Sequence, residues 1–207
     1  MTTLAIECAT EACSVALFDD GELVDGRFEA IGRGHAERLV PMIAQLPDKG
    51  RAQRIVVSLG PGSFTGVRIG LAAARALGLA WGAEVLGYPT LTLIAAMARA
   101  KHRGKAVTVC MNGGHGEWFL QNFAGGGEAE DNVRSLSPAE AALACRHATL
   151  AGNRAGALAD QLGDGRSALD LLPDARCARL LAEIQLTPKL APVYGRAPDA
   201  RLPQARA

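Results

Sequence analysis

The sequence has no excess of charge of either sign and no apolar run long enough to cross a membrane. Lys and Arg total 22 against 21 Asp and Glu, for a net charge of +1. This balance excludes a global basic field that attracts nucleic acid, so any RNA role needs a local patch or a partner. No uncharged apolar run approaches the roughly 20 residues of a membrane span. No signal peptide is visible, and we expect a cytoplasmic protein without membrane contact.

Residue patterns typical of catalytic centres are also missing. The five cysteines include no Cys-x-x-Cys pair, which favours a reduced chain over a zinc site or a disulfide framework. The four histidines are scattered, and Leu39 rather than a second histidine stands four residues after His35. Ser63 has no Gly-x-Ser-x-Gly frame. We therefore predict no catalytic residue and no bound metal.

What is present is the pattern of a folded α/β protein, with 49% hydrophobic and 21% charged residues. A meander of three strands precedes alternating helices and strands, and a looser version follows in the second half. This repetition predicts two related α/β subdomains, residues 1–103 and 104–207, the second with an extended tail. The predicted strands are 4–6, 14–18, 23–28, 55–59, 85–87, 106–110 and 117–123; the predicted helices are 35–46, 66–81 and 90–100, one opening at Ser137, one from about 154, and 173–186.

Two predicted helices carry a feature of their own. Pro41 lies inside the first one, so we expect a kink there or a helix that effectively begins near it. Ser137-Pro138 with Glu140 has the signature of a capping box at the start of another.

The most informative stretch, Ser58 to Gly70, places a glycine-rich loop between a strand and a helix. Free backbone N–H groups and the helix dipole favour an anion in this geometry. The loop has no Gly-Lys-Ser/Thr, however, and its glycine spacing is one residue longer than the dinucleotide fingerprint. Two interpretations therefore stay open: an anion site, or a tight turn without a ligand.

The helix after this loop has small residues at every fourth position. Gly70, Ala74 and Gly78 lie within about 80° of one another on a helical wheel. Each interior glycine costs a helix about 1 kcal/mol relative to alanine, which close approach by another element offsets. The spacing alone favours packing of this stripe on the chain's own sheet over a flat subunit interface.

Several segments together resemble the TsaB (YeaZ) family of the bacterial machinery that makes threonylcarbamoyladenosine in tRNA. The stretch Gly-Pro-Gly-Ser-Phe-Thr-Gly is far more specific than a generic glycine loop, and the resemblance spans nearly the whole chain. The matching segments are residues 4–17, Gly34-His35-Ala36-Glu37 with Leu39 and Pro41, residues 60–71, Tyr88-Pro89-Thr90-Leu91 and residues 192–200.

The resemblance implies an actin/Hsp70/sugar-kinase-like fold and a non-catalytic paralogue of the transferase subunit TsaD. It implies docking to a TsaD-like subunit, a TsaE-like ATPase as a further partner, tRNA contact only through the complex, and a homodimer when alone. No intrinsic cofactor is expected, and ATP or ADP belongs at the partner interface. The implied interface residues are His35, Leu39, Met42, Ser63, Phe64, Thr65, Arg68, Gly70, Ala74 and Gly78; Glu7, Gly62 and Ser63 are the nucleotide-adjacent candidates.

Two segments depart from the family pattern. Glu7-Cys8-Ala9 stands where the family usually has Asp-Thr-Ser, and residues 112–119 lack the usual acid and arginine. Two other functions stay open beside the scaffold role. One is an independent kinase or ATPase of the same fold with Glu7 as its metal–ATP acid. The other, ranked last, is a metalloprotease.

Overall fold

The computed structural model describes residues 1–163 and 165–195, and within them two five-stranded sheets with helices on their faces. Short 3₁₀ helices cover Pro47–Gly50, Ala175–Leu180 and Glu183–Gln185. The strands are β1 Thr2–Glu7, β2 Ala12–Asp19, β3 Glu22–Ala30, β4 Arg54–Ser58, β5 Glu84–Tyr88, β6 Val107–Gly114, β7 Glu117–Phe123, β8 Arg134–Leu136, β9 Thr149–Ala151 and β10 Ser167–Leu169. The α-helices are α1 His35–Ala44, α2 Phe64–Trp81, α3 Thr90–Lys101, α4 Pro138–Ala144 and α5 Ala155–Leu162.

The two sheets have the same topology. The first has the order β3-β2-β1-β4-β5, with an antiparallel meander of β1, β2 and β3 and parallel β4 and β5. The second has the order β8-β7-β6-β9-β10, with the same pattern of antiparallel and parallel neighbours. The predicted fold class, two related subdomains that each hold a mixed sheet with flanking helices, is confirmed.

The layers follow from strands that bury both faces. In β1, Leu4 and Ile6 pack toward α1 and α2, whereas Ala5 between them faces the central layer. That central layer is α3, in which every residue from Thr90 to Ala98 is buried between the two sheets. Helices α4 and α5 cover the outer face of the second sheet. Helices therefore cover both faces of the first sheet, and α1 and α2 form one outer surface of the molecule.

The prediction of a last helix over residues 173–186 is wrong. The chain forms 3₁₀ turns instead, because the Asp174 carboxylate accepts the Arg176 N–H and Leu181 and Ala182 take extended backbone angles. Ala175 and Ala178 point into the central core, so this segment fills space between α3 and β2 rather than presenting a helical face.

Two smaller predictions are also corrected, and a third is not tested. Helix α1 begins at His35, not near Pro41, which lies inside it. Strands β8, β9 and β10 were missed because three residues are too short to show an alternating pattern. The predicted boundary at residues 103/104 falls in the connection between α3 and β6, and the subdomain division stays a prediction.

The capping box of Ser137 and Glu140 opens α4 as expected. Within the described ranges, no helix is long and apolar enough to span a bilayer. Residues 196–200 of the predicted tail motif lie outside the described part of the chain.

Candidate docking surface and the glycine-rich loop

The glycine-rich loop between β4 and α2 is closed against the turn between β1 and β2. The Ser63 N–H donates to the Ala9 carbonyl at 2.6 Å, and the Ser63 hydroxyl accepts from the Gly66 N–H at 3.2 Å. A Cβ placed on Gly62 would lie 1.9 Å from the Ala9 oxygen, and one on Gly66 would lie 2.0 Å from the Cys8 oxygen. The glycines thus permit close backbone contact, which is the tight-turn interpretation of this loop.

Glu7 lies in the interior and not beside a nucleotide site. Its carboxylate accepts the Ala9 N–H at 2.7 Å, and the Tyr88 hydroxyl lies 3.4 Å from its second oxygen. Burial is the main cause that raises the pKa of Glu7 from 4.5 to about 7, and these hydrogen bonds lower it only in part. The side chain is fully buried, so the structure gives no support to the nucleotide-adjacent role of Glu7, which stays a prediction.

The small-residue stripe of α2 packs on its own sheet. A Cβ on Gly70 would lie 3.5 Å from Val57, and one on Gly78 would lie 2.3 Å from Val85. Ala74 is fully buried in the same layer. The interpretation from spacing alone is confirmed, so the structure gives no support to the interface role that the resemblance implied for Gly70, Ala74 and Gly78, which stays a prediction.

Three predicted interface residues of α1 are also interior. Leu39 and Met42 belong to the core under α1. His35 is buried, and its Nε2–H points to the Thr10 carbonyl at 2.8 Å, which ties the start of α1 to the β1–β2 turn. Because these side chains hold α1 in place, they cannot themselves touch a partner while the fold is kept.

The other four predicted interface residues, Ser63, Phe64, Thr65 and Arg68, are exposed at the start of α2. The Arg68 guanidinium carbon lies 3.4 Å from the centre of the Phe64 ring, and Arg68 donates to the Tyr194 hydroxyl at 2.9 Å. Tyr194 stacks on Phe64 at 5.9 Å between ring centres. The tail segment is held there by the Val193 N–H, which donates to the Leu59 carbonyl at 2.7 Å.

An apolar surface continues from this cluster along both helices. Leu79 is 89% exposed, Val40 is 62% exposed and Phe64 is 57% exposed, in contrast to the burial that such side chains favour. We call this surface the α1–α2 face. Its members are Ala36, Val40, Ala44, Phe64, Arg68, Ala72, Ala76 and Leu79.

Sequence reasoning missed Val40, Leu79 and Tyr194 as members of this region. The signal for Leu79 was present, because Phe64, Arg68, Ala72, Ala76 and Leu79 recur at helical spacing opposite the small-residue stripe. Tyr194 had no local signal, since it is 126 residues from Arg68 in the chain. In the described part of the chain, no group of three or more His, Cys, Asp or Glu side chains is placed to hold a metal ion.

Comparisons with known proteins agree on the relatives of this chain. Residues 29–162 match the model of the family described as TsaD, tRNA N6-adenosine threonylcarbamoyltransferase. The chain is 43% identical over 130 residues to the tRNA threonylcarbamoyladenosine biosynthesis protein TsaB of Escherichia coli K12, covering 59% of this chain and 55% of that protein. For TsaB of Haemophilus influenzae the identity is 40% over 119 residues, covering 54% and 49%. The match thus spans about half the length of these curated relatives.

Solved structures extend the similarity to nearly the full chain. A crystal structure from Pseudomonas aeruginosa, described as an uncharacterized protein with similarity to the peptidase YEAZ, has a TM-score of 0.80 and 29% identity. It covers 94% of this chain and 99% of that one. YeaZ from the same organism gives a TM-score of 0.77 and 28% identity, with 93% and 99% coverage.

Proposed function

Because the chain belongs to the TsaD family of tRNA N6-adenosine threonylcarbamoyltransferases and is similar to its TsaB (YeaZ) members, we propose that it is a non-catalytic subunit of that reaction. In this role it binds and activates a TsaD-like transferase. That transferase moves threonylcarbamoyl to the adenosine beside the anticodon of tRNA, with a TsaE-like ATPase as the third component. The relatives' role in tRNA modification supports a cytoplasmic setting.

The observation that supports this role best is the α1–α2 face. Its large side chains are exposed although the same helices bury their other sides completely in the core. Exposed apolar patches of this kind are typical of protein interfaces, and Arg and aromatic residues at one end are typical anchors. A related subunit that presents a matching helical pair fits this surface, and so does a second copy of this chain.

The two occupants would compete, which gives the proposal a clear consequence. The isolated chain forms a homodimer through the α1–α2 face, and the TsaD-like subunit replaces the second copy. ATP or ADP then lies at the interface with the partner. The buried carboxylate of Glu7 weakens the alternative of an independent kinase, since that acid was the candidate ligand for metal–ATP.

The proposal predicts that Leu79→Glu abolishes both assemblies. A charge within an apolar contact is strongly unfavourable when it is buried without a partner. Light scattering after size exclusion, on the chain alone and with the TsaD-like protein of the same organism, measures the outcome. We expect a dimer and a 1:1 heterodimer for the wild type, and a monomer for Leu79→Glu.

Leu143→Glu is the matched control. Leu143 has the same 89% exposure but lies on α4, on the outer face of the other sheet. This variant should assemble as the wild type does. Equal behaviour of the two variants, or a wild-type chain that ignores the TsaD-like protein, would contradict the proposal.

A further inference from the structure

A hollow of about 650 Å³ opens at the edge of the second sheet where β9 and β10 begin. Thr149 and Ser167 start these strands, and the connection from α3 to β6 forms the facing wall. We call it the basic hollow. It is lined by His102, Lys105, Arg146, Ala148, Thr149, Gly165, Arg166 and Ser167.

The basic hollow concentrates positive charge in a chain whose net charge is close to zero. Among its described lining residues, three are Lys or Arg and none is acidic. In the part of the chain that the structure describes, the exposed Lys105 has no acidic side chain within ion-pair distance. Lys101 at the end of α3 and Arg103 in the connection add charge nearby, against a net charge of +1 for the whole chain.

Nearby acids only partly offset these cations. The Glu130 carboxylate lies 3.5 Å from Arg146 and 3.2 Å from His147, and Asp131 lies 3.8 Å from Arg146. Asp164 stands two residues before Arg166 in the sequence. Five Lys and Arg residues in these segments therefore exceed the acids Glu130, Asp131 and Asp164 by two charges.

The side chains around the basic hollow fit phosphate groups better than bases. Its cations come from three separate stretches of chain, and its lining contains no Phe, Tyr or Trp on which a base could stack. Lys and Arg contacts to phosphates orient a protein on nucleic acid without reading its sequence. A backbone of consecutive phosphodiesters would match several cations arranged around one open depression.

We propose that the basic hollow binds phosphate groups of the tRNA backbone, so that this chain contributes RNA contacts of its own. The proposal rests on the function proposed above, which supplies tRNA as the substrate of the complex. The hollow lies on the second sheet, whereas the α1–α2 face covers the first. One surface can therefore hold the protein partner while the other holds RNA.

The test compares two double variants that remove the same charge. Lys105→Gln with Arg146→Gln removes two of the three cations that line the hollow, and Arg51→Gln with Lys189→Gln removes two exposed cations elsewhere. Fluorescence anisotropy with a labelled tRNA transcript is measured over a range of salt concentrations, for the full chain alone and for its complex with the TsaD-like subunit. Thermal unfolding verifies that each variant is folded, and Lys105→Arg should bind RNA as the wild type does.

Each lost phosphate contact lowers the slope of log affinity against log salt concentration by about one. The hollow variant should therefore lose about two from this slope and bind tRNA at least about tenfold more weakly at 0.1 M salt. The control variant should stay within about twofold of the wild type, since its cations contact no RNA. Equal weakening of both variants, or no weakening in the hollow variant, would overturn the proposal.

Two further measurements separate this proposal from its rivals. The hollow variant should still form the 1:1 assembly in light scattering, whereas Leu79→Glu should not. A wild-type chain that binds tRNA but no TsaD-like subunit would contradict the scaffold function and leave the RNA site intact. Titration with ATP and with inorganic phosphate tests for a small ligand. Binding of either that the hollow variant loses, with tRNA binding unchanged, would assign the hollow to that ligand and overturn the RNA proposal.

Discussion

Glu7 shows that a residue proposed as a ligand from sequence can instead belong to the interior. Its carboxyl group sits at the end of β1, where Ala9 and Tyr88 provide hydrogen bonds and no solvent reaches it. Burial disfavours the charged form, and the pKa of about 7 means that the folded chain holds this proton near neutral pH. The free energy of unfolding must therefore depend on pH through Glu7.

We predict that the free energy of unfolding of Glu7→Gln, relative to that of the wild type, increases as the pH rises from 5 to 8. The folded pKa of Glu7 is about 7 against 4.5 without burial, so between these values the native state binds more protons than the unfolded chain. The wild type thus loses stability across this window, by about 3 kcal/mol in total, and the uncharged Gln does not. Urea unfolding of both proteins at several pH values measures the difference, and a difference that is constant with pH would rule out this assignment.

Helix α2 depends on glycine for its position rather than for flexibility. Gly66 in its first turn lets the helix meet the Cys8 carbonyl, while Gly70 and Gly78 let the rest of the helix lie on β4 and β5. The Ser63 side chain caps the same helix by accepting the Gly66 N–H. A change of helix position here would move the α1–α2 face as a whole.

The first turn of α2 should be intolerant of even one methyl group. We predict that Gly66→Ala lowers the free energy of unfolding by about 2 kcal/mol or more, because the new Cβ would overlap a backbone oxygen that cannot move away cheaply. Gly156→Ala in α5 is the control, since nothing lies within 4 Å of its Cβ position. That variant should be unchanged or up to about 1 kcal/mol more stable. Thermal and urea unfolding report both, and a tolerated Gly66→Ala would mean that α2 shifts easily.

The whole molecule is two copies of one topology joined across α3 and a few polar links. Asn153, which follows β9, donates to the Glu11 carboxylate in the β1–β2 turn at 2.7 Å. The same asparagine accepts the Asn112 N–H at 2.9 Å. These bonds fasten the turn beside the glycine-rich loop to the second sheet, so the two sheets are coupled where the loop ends.

A double-mutant cycle with Glu11→Ala and Asn153→Ala should reveal this coupling. Because a hydrogen bond to a charged group contributes about 1.5 kcal/mol or more, the two substitutions together should cost less than the sum of each alone by about 1 kcal/mol. The cycle removes the separate loss of the Asn153 bond to Asn112 from the comparison. Urea unfolding provides the four free energies, and simple additivity would show that this contact does not join the sheets.

Much of the fold could be predicted from local patterns. The meander of β1, β2 and β3 has short apolar segments and a turn at Asp20-Gly21, and the spacing of α2 indicated that its small residues face the sheet. The segment 173–186 shows where such reasoning fails. Its apolar residues pack against distant parts of the chain and do not form the apolar face of a helix. The interface prediction for the α1 residues found no support for a related reason. An apolar stripe on a helix does not reveal whether a partner or the chain's own sheet covers it.

The amino-acid pattern alone established the family, the repeated α/β topology and the tight turn at the glycine-rich loop as one of two options, because neighbouring residues encode periodicity and turn chemistry. Tertiary structure decided which of those residues are available. Glu7 and His35 are buried, Phe64 and Leu79 are exposed, and Lys105, Arg146 and Arg166 line one hollow although they lie far apart in the chain. The burial of a side chain and the clustering of charges depend on segments that are distant in the sequence. They are therefore decided only when the two sheets have folded and packed.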